Sequence, residues 1–492
     1  MKTKLQPQLL AVIVFIYLTS SFTALLLLFD QSKPKYFELL FLLPTMFLVC
    51  SIIFLRVYKY MFKGVGIFIF LMLLYFRYTI IPLIMYFGKY AVYLSNIDVY
   101  DATVEAIIVM IWEVFILFTM LFVYGDKYYT TKPKITPVNL EPRNFRNNKY
   151  FVSRLNFVST LIILGIISSF LLYPKIQYYY SSYFFTSETA INFWNTNANE
   201  ILNETPSIVR AIVIFWVDSI KYFITIYFIL LLYKKHVKFG YKYEFKFLIV
   251  SFIIVFLNFI FMTPNMAINV YITVALLFLL RKLYRNQGEK VLKMSLFAII
   301  LTSIYILITK GLLGGYSSTG GSLSYLSSLF QSYFSGPINV STAVHTTHII
   351  DYSRFEIFIA DILKKTPIIQ YFFQTIPTPT SPILFNNTMY GFEGRKDQII
   401  PLIGQGYLYF GGFLAPLLSI IMLHILMFFD NKSRDKHDNV FYVIYVFGAV
   451  MTAFTINAYN LDIFIQLMIQ YLLPLYILIK INCRVSSKKL VS

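Results

Sequence analysis

The sequence predicts an all-α, polytopic integral membrane protein, and low charge and recurring apolar runs are the observations behind that prediction. Of 492 residues, 58% are hydrophobic and only 13% are charged, and the mean hydropathy is +0.67. A soluble domain carries about 25% charged residues. Apolar runs of about 17–25 residues, each long enough to cross a bilayer as a helix, recur along the whole chain.

These runs give about twelve predicted transmembrane helices in a single transmembrane domain, residues 1–492. They lie near residues 9–29, 37–55, 65–87, 103–124, 156–173, 208–232, 247–263, 266–280, 295–309, 406–428, 439–456 and 461–479. The region 247–280 also fits a helical hairpin or a re-entrant pair.

The positive charges set the predicted orientation. The net charge of +19 raises the question of a nucleic-acid partner. However, four basic blocks fall on one side of the membrane when the N-terminus is placed inside: residues 56–64, 125–154, 233–246 and 281–290. This is the positive-inside pattern. It predicts that both termini are cytoplasmic, and it accounts for the charge without a nucleic-acid partner.

Two predicted outer segments are long, residues 174–207 and residues 310–405. Long loops between short-looped helices are usually functional. In the second loop, "SRFEIFIADILKK" (353–365) has an apolar stripe at helical spacing and a capping-box pair, Ser353 and Glu356. The stripe consists of Phe355, Phe358, Ile359, Ile362 and Leu363. It predicts an amphipathic helix, either along the outer membrane interface or packed on the outside of the bundle.

Arg77 lies near the middle of the apolar run "LMLLYFRYTIIPLIMYF" (71–87). A charge at that depth costs roughly 3 kcal/mol or more. Arg77 could form an internal ion pair with Glu113. Asp218 and Lys221, which share one helix face, could form a second internal ion pair. Alternatively, Pro82 frees a backbone carbonyl and bends the helix around an outward-open cavity, in which the guanidinium binds a diphosphate or a carboxylate.

Further candidates lie in the outer segments. Arg210 stands at the outer mouth of the sixth predicted helix, and the large loop adds Arg354, Lys364, Lys365, Arg395 and Lys396. The stretch "VHTTHIIDYSRFE" (344–356) holds His345 and His348. Each histidine is either a solvated loop residue, a general base or phosphate contact, or a metal ligand. Because no third ligand has suitable spacing, we expect no metal site.

Several familiar chemistries are missing from the sequence. It contains no phosphate loop of the form GxxxxGK[ST], no GxSxG elbow and no HExxH motif. We therefore expect no cofactor, and any reaction to be independent of nucleotides and metals.

The segment "QIIPLIGQGYLYFGGFLAPLLSIIMLHIL" (398–426) leads a helix out of the large loop with Gly404, Gln405, Tyr407 and Gly411. This pattern resembles the bacterial O-antigen and capsule repeat-unit polymerases (Wzy-type). The resemblance extends to "SYFSGPINV" (332–340), to the third helix ending in "RYTIIP" and to the layout with one dominant late outer loop. The segment "FMTPNMAINVY" (261–271) departs from that family, because it lacks an arginine often found there.

The resemblance implies an enzyme of the bacterial cytoplasmic membrane that joins oligosaccharide repeat units carried on undecaprenyl diphosphate. Its partners would be these lipid-linked oligosaccharides, membrane lipid, a flippase and a chain-length regulator. It implies Arg77, Arg210, Arg354 and Arg395 as diphosphate contacts and His345 or His348 as the base. Two alternatives stay open: a flippase that exports lipid-linked units, and a ligase-like transferase that passes finished glycan to another acceptor.

Overall fold

Helices are the only regular secondary structure in the described part of the chain, which confirms the predicted all-α class. The computed structural model describes residues 7–90, 101–129, 165–168, 170–171, 207–239, 243–260, 266–284, 287, 290, 322–366, 369, 372–373, 376–391, 398–434 and 439–487. None of these residues lies in a β-strand.

The first half of the chain contributes long apolar helices. They are α1 (Pro7–Phe29), α2 (Leu42–Ile53), α3 (Val65–Tyr75), α4 (Ile81–Phe87), α5 (Thr103–Tyr129), α6 (Ser207–Phe239), α7 (Glu244–Ile260) and α8 (Met266–Leu283). A π-helical turn, Phe76–Ile80, joins α3 to α4 without a break.

The second half combines short and long helices. They are α9 (Ser322–Tyr333), α10 (Pro337–Ile349), α11 (Arg354–Lys365), α12 (Ser381–Tyr390), α13 (Leu402–Phe410), α14 (Leu417–Ser433), α15 (Asn439–Ala458), α16 (Leu461–Leu467) and α17 (Leu473–Ser487). A second π-helical turn, Met468–Leu472, joins α16 to α17.

Among the described residues, six helical segments are long and apolar enough to cross a membrane. They are Leu9–Phe29, Lys35–Ile53, Val65–Phe87, Thr103–Tyr129, Phe441–Ala458 and Leu461–Ile481. Each matches a predicted span, and together they indicate a membrane protein. The described residues of the predicted spans 208–232, 247–263 and 266–280 are helical. The span 295–309 and most of 156–173 lie outside the described residues, so the total of twelve stays a prediction.

The predicted continuous helix over 406–428 is wrong in its bounds. Helix α13 begins at Leu402 and ends at Phe410, and α14 starts only at Leu417. Gly411 follows α13 with φ +78°, a left-handed backbone conformation that glycine adopts without strain. Pro416 then precedes the first residue of α14. Glycine and proline therefore divide one predicted span into two helices.

The predicted large outer segment is mostly helical where the structure describes it. Helices α9 to α12 lie within residues 310–405, and α10 packs between α5 and α13. Residues 337–344 of α10 are all buried. Helix α11 packs on α13 and α16 through Ile357, Ala360 and Asp361. This packing agrees with the bundle-packed alternative, and the position of α11 relative to the membrane interface stays a prediction. The buried face differs from the predicted stripe, and the Ser353 side chain does not cap the helix.

Proline accounts for both π-helical turns. Pro82 and Pro474 each lie two residues beyond such a turn. Because proline has no N–H, the carbonyl four residues earlier loses its usual helical partner, and the turn widens. The bend that Pro82 predicts is thus a widened turn that contains Arg77.

The N-terminus of α3 is capped from a distant part of the chain. The carboxylate of Asp430, in α14, accepts hydrogen bonds from the backbone N–H groups of Gly66 (2.9 Å) and Ile67 (2.7 Å). The Tyr129 hydroxyl donates to the same carboxylate at 3.0 Å. A Cβ at Gly64 would lie 2.3 Å from a carboxylate oxygen, so this glycine permits the approach. The cap joins the ends of α3, α5 and α14.

Asp430→Ala should lower the thermal unfolding midpoint, because it leaves two buried N–H groups of α3 without a partner. Each such group costs roughly 1–3 kcal/mol. Tyr129→Phe, which removes only one donor and keeps the cap, should have a smaller effect. The measurement is thermal unfolding of the purified protein in detergent. Equal midpoints for Asp430→Ala and the unchanged protein would contradict the capping role.

Candidate functional site

Arg77 lies in a fully buried polar cluster. Its Nη1 is 2.9 Å from Oε2 of Glu113, and both side chains are inaccessible to solvent. Its Nε donates to the carbonyl of Ser335 at 2.9 Å. Ser419 donates to the other Glu113 oxygen at 2.6 Å, and the Tyr78 hydroxyl lies 3.0 Å from Oε2. This central cluster (Arg77, Glu113, Ser335, Tyr78 and Ser419) draws residues from the π-helical turn Phe76–Ile80, from α5, from α14 and from the turn before α10.

The central cluster favours the ion-pair alternative for Arg77. A guanidinium that is paired with a carboxylate and closed off from solvent has little capacity for a diphosphate. Only its Nη2 lacks a hydrogen-bond partner. The second proposed pair cannot be compared, because the side chain of Asp218 lies outside the described part of the structure.

The central cluster also positions helix α10. Ser335 adopts a left-handed conformation with φ +50°, and Pro337 begins the helix directly afterwards. Asn339 donates back to the carbonyl of Ser332 at 3.1 Å, which closes the turn. Farther along, the hydroxyls of Ser341 and Thr103 are 3.1 Å apart. The segment resembling the polymerases, 332–340, therefore anchors α10 against α5.

A second cluster lies where α10 ends beside the start of α5. His348 Nε2 is 3.5 Å from Oε2 of Glu105, and both side chains are about half exposed, at 50% and 44%. The hydroxyl of Tyr407 donates to Oε1 of Glu105. A Cβ at Gly411 would lie 2.4 Å from Nη1 of Arg354, so the guanidinium passes directly over this glycine. We call Glu105, His348, Arg354, Tyr407 and Gly411 the outer cluster.

The outer cluster combines complementary chemical groups. A carboxylate beside an imidazole can orient the ring and stabilise the cation that forms when the ring accepts a proton. A phenol and a guanidinium add hydrogen-bond donors suited to an anion. Glu105 is eight positions before Glu113 on α5, so the outer cluster lies about 12 Å along the helix from the central cluster.

The structure brings together four residues that the sequence singled out: His348, Arg354, Tyr407 and Gly411. Glu105 was not among the predicted site residues, because an acidic residue in the first turn of a helix is ordinary there. Its only signal was a charge inside the apolar run 103–124, eight residues before Glu113.

Other predicted site residues lie elsewhere. His345 is half-buried on α10, and Gln405 is wholly buried among side chains of α12 and α16. Gly404 lets α13 approach α10, because a Cβ there would lie 2.4 Å from that of Ala343. Arg210 is in the first turn of α6, with its side chain outside the described residues. Arg395 also lies outside them.

Within the described residues, no group of three or more His, Cys, Asp and Glu side chains is arranged to hold a metal ion. The chain matches no protein-family profile, no curated protein and no solved structure. The resemblance to repeat-unit polymerases therefore stays a prediction from short motifs and layout.

Arg77→Ala should reduce the amount of folded protein, because it leaves the Glu113 carboxylate buried without its counter-charge. Breaking a buried pair in this way costs about 3–5 kcal/mol. The double variant Arg77→Met/Glu113→Leu removes both charges at similar volume and should recover much of the loss. Size-exclusion profiles and unfolding midpoints in detergent measure both. An Arg77→Ala protein of unchanged stability would contradict the structural role and favour diphosphate binding.

Proposed function

We propose that the protein polymerises oligosaccharide repeat units carried on undecaprenyl diphosphate, at the outer face of the bacterial cytoplasmic membrane. The observation that carries the proposal is the outer cluster. His348 and Arg354 belong to the stretch 344–356, and Tyr407 and Gly411 belong to the segment 398–426, more than fifty positions later. These residues meet around Glu105. The predicted orientation places this end of α5 outside.

The proposed reaction is a glycosyl transfer. A hydroxyl oxygen of the acceptor's terminal sugar forms a bond to the anomeric carbon of the donor glycan. The bond between that carbon and the diphosphate oxygen breaks, and undecaprenyl diphosphate leaves with the electron pair. The hydroxyl proton passes to a base. No nucleotide or metal is needed, and the energy of the glycosyl-phosphate bond drives the transfer.

Three side chains of the outer cluster have a part in this reaction. His348 accepts the hydroxyl proton, and Glu105 orients the imidazole and stabilises its cationic form. Arg354 neutralises charge that develops on the departing diphosphate, the largest electrostatic demand of the reaction. The geometry favours Arg354 over Arg77 for this task, because Arg354 is exposed and Arg77 is enclosed with Glu113. Arg210 and Arg395 remain in the proposed diphosphate set.

His348→Ala should shorten the surface polysaccharide to single repeat units, because a general base contributes about 10²–10⁴-fold to rate. His345→Ala, at the half-buried neighbouring histidine, should leave chain extension intact. Gel profiles of the polysaccharide and of lipid-linked intermediates, at matched protein levels, provide the measurement. Loss of extension in His345→Ala and not in His348→Ala would assign the base to the other histidine.

Arg354→Ala should also abolish extension, and Arg354→Lys should restore it only in part, because an ammonium lacks the paired donors of a guanidinium. Asp351→Asn, an exposed charge change three residues away, is the matched control. Gel profiles of chain length, at equal amounts of membrane-inserted protein, distinguish the variants. Full-length polysaccharide from Arg354→Ala would remove this residue from the proposed site.

A further inference from the structure

Two carboxylates lie in the interface between α11 and the bundle. Asp361 projects from α11 and Asp462 from the first turn of α16, and they are only 1% and 5% exposed. Tyr409 of α13 and Ser381 of α12 complete the surroundings. We call Asp361 and Asp462 the acid pair. The outer cluster does not include it, and the proposed reaction does not use it.

Asp361 is well supplied with hydrogen-bond donors. The backbone N–H of Ser381 donates to its Oδ1 at 2.8 Å, and the hydroxyl of Tyr409 donates to its Oδ2. These contacts favour a carboxylate, but burial outweighs them and raises the pKa of Asp361 above its ordinary value.

Asp462 has fewer partners. The backbone N–H of Leu461 donates to Oε1 of Gln405 at 2.9 Å, which fixes the orientation of that amide. Its Nε2 then lies 3.2 Å from Oδ1 of Asp462 and 3.0 Å from the Ser381 hydroxyl. The other oxygen, Oδ2, is buried without a partner. A neutral, protonated carboxyl group costs less to bury at this position than a carboxylate whose charge no donor meets at Oδ2.

The charges around the pair do not balance two carboxylates. Lys365, half-buried on α11, is the cation whose field acts on both. Lys364 turns away and donates to the carbonyls of Ile376 and Thr378. Tyr409 contributes a neutral phenol, and α12 contributes the uncharged Ser381. Two adjacent ionised carboxylates at this depth would leave one negative charge without compensation.

A metal ion suits the site poorly. The amide of Gln405 and the N–H of Ser381 both point donors at the carboxylates. Two buried oxygens in this region remain without partners, Asp462 Oδ2 and Thr380 Oγ1. Hard cations take about six oxygen ligands. A proton, by contrast, needs only one carboxylate oxygen to hold it.

We propose that Asp361 and Asp462 share one proton, and that this proton keeps α11 docked on the bundle. The proton removes the repulsion between a carboxylate on α11 and a carboxylate on α16. When it leaves, the two like charges face each other in a water-poor interface, and separation of α11 from α13 and α16 relieves the repulsion.

Docking of α11 also positions the outer cluster. The helix begins with Arg354, whose guanidinium lies over Gly411. Helix α13 carries Tyr407 to Glu105 on one side and Gln405 and Tyr409 to the acid pair on the other. Loss of the shared proton therefore withdraws Arg354 from the outer cluster. This effect on activity rests on the proposed function, whereas the proton site itself does not.

Hydrogen exchange of α11 tests the proton site without any activity measurement. The purified protein in nanodiscs is compared with Asp462→Asn at each pH from about 5 to about 9, so that intrinsic amide exchange cancels. In the unchanged protein, protection of peptides covering residues 354–366 should fall about tenfold per pH unit over the range in which the docked pair keeps its proton and the undocked carboxylates do not, since undocking there releases one proton. Protection should level off at higher pH, where the docked pair has already lost the proton. Asp462→Asn, which imitates the protonated acid, should keep its protection across the range.

Three comparisons make the result decisive. Asp351→Asn, an exposed carboxylate outside the interface, should behave like the unchanged protein. Asp361→Asn should abolish the pH dependence as Asp462→Asn does, and it serves as the readout if Asp462→Asn does not fold. A pH-independent protection in the unchanged protein, or the same slope in both Asn variants, would overturn the proposal. Protection that rises with Na⁺ at fixed pH and ionic strength would overturn it in favour of a metal ion.

Discussion

The ion pair between Arg77 and Glu113 is the interaction on which the rest of the described structure depends. It joins the third apolar span to α5, and through Ser335 and Ser419 it reaches the turn before α10 and the helix α14. A charge pair enclosed in an apolar bundle has few alternative partners, so it fixes the relative positions of these segments. Helix α10 then runs along α5 and ends with His348 beside Glu105. The outer cluster is thus a consequence of the buried pair.

Polar contacts recur at three levels along α5. Glu105 lies in the outer cluster, Glu113 in the central cluster, and Asp126 meets Lys59 at 2.7 Å near the other end. Apolar packing between helices has little directional preference in lipid, so polar contacts of this kind specify register. The levels differ in exposure. The central level is closed to solvent, whereas Glu105 and His348 are half exposed, which leaves the outer level accessible to a substrate.

The sequence predicted the helical class and the positions of the six spanning helices in the described residues, because apolar runs are local signals. It also predicted that Arg77 and Glu113 could pair, since both are costly in lipid unless compensated. It could not predict that α10 inserts between α5 and α13, because that contact depends on Ser335 and on residues far along the chain. Glu105 was not predicted, because an acidic residue in the first turn of a helix is ordinary there. The acid pair was not predicted either, because its two members come from helices about a hundred residues apart in the sequence. Local periodicity identifies helices, but it does not show which of their polar side chains meet.

The most direct test of the account is the fate of lipid-linked repeat units in a strain that lacks this protein but makes the corresponding glycan. The intermediates are extracted and sized, and membrane-impermeant labelling shows which face of the membrane displays them. The account predicts single repeat units accumulating on the outer face, because export proceeds and extension does not. Single units confined to the inner face would contradict it and indicate an exporter. Long lipid-linked chains that are never transferred would contradict it as well and indicate a ligase.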